Sequence, residues 1–122
     1  MTRGASVALS ILLLGASATV LLAAEAKDMV GTWKWTDYTV DCKEGGANGM
    51  SCIVVDGPKN KGMEMIRSAL AKAGDGFTGQ IAHPATGDIY NTKLDKKDAN
   101  TWSLDGCTTA NVCAKGDFVR IK

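Results

Sequence analysis

The chemistry available to this 122-residue chain rests mainly on its four cysteines: Cys42, Cys52, Cys107 and Cys113. Structural zinc sites usually take their ligands from closely spaced Cys-x2–4-Cys pairs. The spacings here are Cys-x9-Cys and Cys-x5-Cys. These spacings disfavour zinc, and we expect no metal site.

Disulfide bonds are the alternative chemistry for these cysteines. An even number of cysteines in a small exported chain predicts disulfides, and four cysteines allow three connectivities. The local pairing of Cys42 with Cys52 and Cys107 with Cys113 is favoured, because each pair flanks a turn-like stretch, residues 44–49 and 108–111. Each bridge would join neighbouring strands and contribute about 2–3 kcal/mol.

His83 is the only histidine, and it precedes Pro84 in a turn-like stretch. A histidine in such a position is most often exposed, with no metal or catalytic role. Asp88 is the nearest carboxylate that could orient it, but no nucleophile motif accompanies the pair. The acidic residues lack metal-loop spacing, and no glycine-rich phosphate loop opens a helix. The sequence therefore predicts no enzyme, no catalytic residues and no cofactor.

The first 26 residues have the organisation of a secretory signal. Arg3 is the only charge before Glu25, residues 5–23 form an apolar run, and Ala24-Glu25-Ala26 offers small residues at the cleavage positions. A retained membrane anchor is the alternative, because the run approaches the ~20 residues that a span needs. The small residues in the run and the Ala-x-Ala site favour cleavage after Ala26.

Removal of residues 1–26 leaves residues 27–122, the length of one domain. The net charge of the chain is +1, which gives no reason to expect nucleic acid or an anionic membrane as a partner. We expect the mature protein to begin at Lys27 and to reside in the periplasm or outside the cell.

Apolar side chains alternate with polar ones over most of this domain. Trp33 and Trp35 share one face of a predicted strand, and Trp102 and Leu104 share a face of another. Alternation with period two, interrupted by turn signals every 8–12 residues, predicts an antiparallel β-sandwich or barrel. Residues 63–73 are the exception, and their alanines and methionines predict either a short helix or a short strand followed by a helical turn.

A resemblance joins several of these features. It rests on Gly31-x-Trp33, the cysteine pairs, Gly79-Gln80-Ile81, Pro84-x-x-Gly87, Tyr90, Leu94 and Phe118-Val119-Arg120. In these residues the chain resembles the DUF2147 family of small exported bacterial proteins. The resemblance implies a lipocalin-like fold, a small up-and-down antiparallel β-barrel of about eight strands. It implies no activity, because no function is established for that family.

A closed barrel of this kind must pair its first and last strands. Trp33 on the first strand and Arg120 on the last would then be neighbours, as in lipocalin-like barrels that lay an arginine across a tryptophan. The alternative is that Trp33 is an ordinary core residue and Arg120 is solvated.

Two functions fit such a barrel. The first is a carrier or sensor for a small apolar or amphipathic ligand, bound in the barrel by four aromatic residues: Trp35, Tyr38, Tyr90 and Trp102. The second is an interaction module that binds an envelope protein through its outer face or rim, with the same aromatic residues filling the core.

Overall fold

The computed structural model of the protein describes residues 24–122. The signal peptide predicted over residues 1–26 therefore lies mostly outside the described residues. A short 3-10 helix, Ala26–Met29, precedes eight strands: β1 Gly31–Trp35, β2 Tyr38–Glu44, β3 Met50–Asp56, β4 Ala71–Ala73, β5 Gly76–Ala82, β6 Ile89–Asp98, β7 Thr101–Cys107 and β8 Cys113–Arg120.

The eight strands form one antiparallel sheet with the order β3-β2-β1-β8-β7-β6-β5-β4. The sheet is curled into a half-barrel, so the prediction of an all-β fold is confirmed. Strands that follow one another in the chain are neighbours in the sheet, except for β3 and β4, which lie at its two edges. The first strand, β1, also pairs with the last, β8. In the pairing of β1 with β8, Trp33 lies opposite Arg120.

The inner face of the sheet carries the core. In β2 the buried residues are Tyr38, Val40 and Cys42, and the residues between them are only half-buried. This is the period-two pattern of a strand with one buried face. The alternate residues of β3, β6 and β7 complete the same core, which includes Leu94 and Trp102.

Residues 62–67 cross the gap between β3 and β5. On the β3 side, the N–H of Met65 donates to the carbonyl of Cys52 at 2.8 Å. On the β5 side, the N–H of Ala82 donates to the carbonyl of Met65 at 2.8 Å, and that of Arg67 to the carbonyl of Gln80 at 2.9 Å. The segment is thus hydrogen-bonded to β3 and to β5.

The helix considered for residues 63–73 is wrong. The backbone groups that a helix would pair internally are used by strands β3 and β5. Met65 and Ile66 are both buried. The extended segment that carries them lies between β3 and β5. Long-range pairing therefore overrides the local helix propensity of the alanines.

The Glu64 side chain attaches this segment to β3. Its carboxylate accepts hydrogen bonds from the Ser51 hydroxyl, from the Cys52 N–H at 2.7 Å and from the Ile66 N–H at 3.0 Å. All three bonds are partly buried. One carboxylate therefore holds both the segment and the edge strand that it covers.

We expect Glu64→Ala to lower the free energy of unfolding by about 1–3 kcal/mol, because two backbone N–H groups lose their acceptor. Glu64→Gln should cost less, since the amide oxygen can still accept. Urea denaturation measures both values. Glu44→Ala, at an exposed position, is the matched control and should change stability by about 0.5 kcal/mol or less. Equal stability of the two alanine variants would contradict the role given to Glu64.

Candidate functional site

The four aromatic residues predicted to line a ligand site all lie on the inner face and are buried: Trp35, Tyr38, Tyr90 and Trp102. They fall into separate groups. Trp102 stacks on Phe77 with ring centroids 6.2 Å apart. Trp35 makes an edge contact with Phe118, at 5.8 Å between centroids. Each ring is in contact with other side chains of the protein.

The space left between these side chains is small. One cavity, among residues that include Trp33, Leu94 and Trp102, has a volume of about 20 Å³. A second, among residues that include Trp35 and Tyr90, has a volume of about 10 Å³. Each has room for about one water molecule. A site for a drug-sized ligand has a volume of roughly 300–1,000 Å³.

Two indole N–H groups point into this interior without a partner. The Nε1 atoms of Trp35 and Trp102 are buried and make no hydrogen bond to any of the described residues. Gly116 makes room for the first of them, because a Cβ built there would lie 2.9 Å from Trp35 Nε1. A buried donor without an acceptor costs free energy, so these two atoms are the polar exceptions in an apolar core.

His83 is half-buried, not exposed as the sequence suggested. Its ring lies 5.1 Å from Trp35 and 5.4 Å from Tyr90, measured between centroids. Its Nδ1 accepts a hydrogen bond from the Ala85 N–H at 3.0 Å. Burial lowers the pKa of His83 from 6.5, and the charge of Asp88 partly opposes that shift. The turn sequence indicates where the backbone reverses but not that the ring packs inward.

The lowered pKa of His83 predicts a pH dependence of stability. The unfolded chain takes up a proton near pH 6.5, whereas the folded protein resists it because burial of the His83 ring disfavours the charged imidazolium. The contribution of neutral His83 to the free energy of unfolding is therefore fully present above about pH 6.5 and is lost as the pH falls below it. The pKa of Asp28, lowered from 3.8 mainly by a hydrogen bond with the backbone of Glu25, falls outside this window.

We expect His83→Phe to flatten the fall of stability between about pH 7 and pH 5, as measured by urea denaturation at each pH. Asp88→Asn should steepen it, because removal of that charge lowers the pKa of His83 further. A His83→Phe profile that parallels the unsubstituted protein would show that His83 does not cause the dependence.

The two disulfides have the local connectivity, Cys42 with Cys52 and Cys107 with Cys113. In each case the two cysteines are direct partners on adjacent strands. Cys42 and Cys52 are each 4% exposed and belong to the core. Cys113 is exposed, and Cys107 is half-buried at the end of the β7–β8 hairpin. The bridges are consistent with an oxidising compartment.

Arg120 joins the start of the domain to its end. Its guanidinium lies 4.3 Å from the centroid of the Trp33 ring. Its N–H groups donate to the carbonyls of Val30 at 2.8 Å, Asp28 at 3.0 Å and Ala99 at 3.2 Å. The Trp33 indole itself donates to a carbonyl of the 3-10 helix, at 2.8 Å. The pair therefore lies where the closed-barrel interpretation expects it.

Gly31 is required beside this pair. Its φ is +141°, and a Cβ built on it would lie 2.4 Å from Nη1 of Arg120. Both the backbone conformation and the close approach of the guanidinium therefore favour glycine. This gives a physical reason for the glycine of the Gly31-x-Trp33 motif.

A shallow, open groove of about 790 Å³ lies along strands β5, β6 and β7. Most of its lining residues carry polar side chains: Thr78, Gln80, Asn91, Lys93, Asp95, Asp105 and Thr108. Lys93 lies opposite Asp105 in the sheet register, and Asp105 lies opposite Lys115 of β8. The groove therefore presents both signs of charge beside amides and hydroxyls. Sequence reasoning missed it, because it depends on which strands become neighbours.

Residues 24–122 contain no group of three or more His, Cys, Asp or Glu residues that could hold a metal ion. Within the same residues, no helix has the length and apolar character needed to cross a membrane.

Comparisons with protein-family models, with curated proteins and with solved structures found no match to this chain. What the protein does is therefore inferred from its own residues.

Proposed function

We propose that the protein is an exported interaction module that binds another protein of the cell envelope through its outer surface. The observation that carries the proposal is the filled interior. Trp35, Tyr38, Tyr90 and Trp102 pack into the core, and the two cavities beside them hold about 20 and 10 Å³. Because the core has no room for a ligand, we assign the function to the outer surface.

The fold and location belong to the same proposal. Residues 62–67 close the curled sheet into a lipocalin-like barrel through their hydrogen bonds to β3 and β5. The resemblance of the chain to the DUF2147 family in motifs such as Gly31-x-Trp33, Gly79-Gln80-Ile81 and Phe118-Val119-Arg120 supports membership of that family. The apolar run in residues 5–23 and the two disulfides support export to the periplasm or beyond. We propose no catalytic activity and no cofactor.

The groove on β5, β6 and β7 is the surface that we assign to the partner. Its mixture of Lys93, Asp95 and Asp105 with amides and hydroxyls suits a protein surface that carries both charges. Nucleic acid or an anionic membrane would require an excess of positive charge, which this groove lacks among its described lining residues. Non-obligate interfaces are about as apolar as the rest of a protein surface and carry several direct hydrogen bonds, which the amides and hydroxyls of the groove can supply.

Site-specific photo-crosslinking in living cells tests this proposal. A crosslinking amino acid at Asn91, an exposed groove position, should give a discrete adduct of one additional protein. The matched control is Lys43, also exposed but on β2, with three strands between it and β6 in the sheet order. Adducts of equal yield from both positions, or none from Asn91, would overturn the assignment.

A carrier for a small ligand is the second candidate, and one observation favours it. The unpartnered indole N–H groups of Trp35 and Trp102 could donate to an acceptor on a ligand. Such a ligand would have to displace packed side chains, since the present cavities hold about one water each. The cost of that displacement places this function behind the first.

A further inference from the structure

The two disulfides of this protein differ in access to solvent. Cys42 and Cys52 are each 4% exposed, on the inner face of β2 and β3. Cys113 is exposed, and Cys107 is half-buried. Thiol–disulfide exchange requires a thiolate to reach a sulfur atom along the axis of the bond. A dissolved thiol can therefore reach the second bridge but not the first.

The hairpin around the exposed bridge has other supports. Thr108 accepts from Asn111 at 2.9 Å through its carbonyl and donates its N–H to Val112 at 2.8 Å. Its hydroxyl also accepts from the N–H groups of Ala110 and Val112. Strands β7 and β8 pair continuously up to the two cysteines. Opening of this disulfide therefore leaves the hairpin and the core in place.

Exposure favours attack at one of the two sulfur atoms. Cys113 is exposed and Cys107 is half-buried, so a thiolate from solvent reaches the Cys113 side more easily. Lys115 and Asp105 lie on the same face as the bridge but are opposite each other in the register, so their charges offset each other there.

We propose that Cys107–Cys113 is a thiol–disulfide exchange site that is reduced by external dithiols, while Cys42–Cys52 stays oxidised as a structural bridge. One thiolate of the dithiol attacks Sγ of Cys113, and the bond to Cys107 breaks, releasing Cys107 as a thiolate that takes up a proton. The second thiol of the reductant then attacks the mixed disulfide and releases Cys113. The protein gains two electrons and two protons, and the dithiol becomes a disulfide.

The proposal is tested on the exported, oxidised protein, with dithiothreitol as the dithiol. Free thiols are trapped with N-ethylmaleimide at successive times and located by peptide mass spectrometry. We expect Cys107 and Cys113 to be labelled at least about tenfold faster than Cys42 and Cys52, with an unchanged circular dichroism spectrum. Equal rates, a faster Cys42–Cys52 bridge, or labelling only when the sheet unfolds would overturn it.

A monothiol tests which sulfur is attacked, because its reaction stops at the mixed disulfide. The oxidised protein is treated briefly with reduced glutathione, and the released thiol is trapped with N-ethylmaleimide. Peptide mass spectrometry should find glutathione on Cys113 with N-ethylmaleimide on Cys107 at least about three times as often as the reverse. Equal amounts of the two products, or glutathione mostly on Cys107, would overturn the assignment of Cys113 as the attacked residue. Neither experiment depends on the groove having a partner, so each can fail separately from the proposed function.

Discussion

Trp102→Ala is expected to lower the free energy of unfolding by about 3–5 kcal/mol, the cost of removing a large buried aromatic side chain. Trp102 is 2% exposed and stacks on Phe77 with centroids 6.2 Å apart. The cavity beside it holds about 20 Å³, so the indole already fills its site and its removal leaves a large void. Urea denaturation followed by far-ultraviolet circular dichroism measures the loss.

Trp102→Phe is the matched control. It keeps an aromatic ring against Phe77 and removes the indole N–H, which has no acceptor among the described residues. Loss of an unsatisfied donor offsets part of the lost packing, so this variant should be clearly more stable than the alanine variant. A Trp102→Ala variant within about 1 kcal/mol of the unsubstituted protein would mean that the ring faces open space and not a filled core.

Arg120→Ala is expected to lower the free energy of unfolding by about 2–3 kcal/mol, as hydrogen bonds and a cation–π contact are lost together. The guanidinium covers the Trp33 ring at 4.3 Å and donates to carbonyls of Val30, Asp28 and Ala99. These contacts tie the start of β1 to the β6–β7 turn. The same denaturation experiment measures the effect.

Two further substitutions serve as controls for that result. Arg120→Lys should recover only part of the loss, because an ammonium group cannot stack flat on the indole and reach three carbonyls at once. Lys115→Ala removes an exposed cation from the same strand and should change stability by about 0.5 kcal/mol or less. If the Arg120→Ala and Lys115→Ala variants were equally stable, the contacts of Arg120 would not stabilise the pairing of β1 with β8.

Local sequence patterns were enough to predict the strands other than β4, which lies in the stretch expected to contain a helix. The alternation of Tyr38, Val40 and Cys42 with polar residues reflects a strand with one buried face, and that face is the core. The turn-like spacers between the cysteines place each pair on adjacent strands, where the bridges form. The position of Arg120 opposite Trp33 was expected from the resemblance and from the requirement that a barrel pair its end strands.

Long-range contacts set the features that sequence patterns could not give. Residues 62–67 have mixed local propensities, and their extended form depends on β3 and β5 being near enough to bond. The inward packing of His83 depends on its contacts with Trp35 and Tyr90. Trp35 lies on β1, far from His83 in the sequence, and Tyr90 lies on β6. Alternation is also the same in a hollow and a filled barrel, because both have apolar inner faces.

Titration of the native tryptophan fluorescence with an apolar ligand such as dodecanoate tests most directly whether the interior is filled. All three tryptophans are buried, at 2%, 5% and 2% exposure for Trp33, Trp35 and Trp102. A ligand that entered the core would therefore change their emission. We predict no saturable change at ligand concentrations that leave the circular dichroism spectrum unaltered. A saturable change with a stoichiometry of one, absent in Trp102→Phe, would contradict the filled interior and favour the carrier.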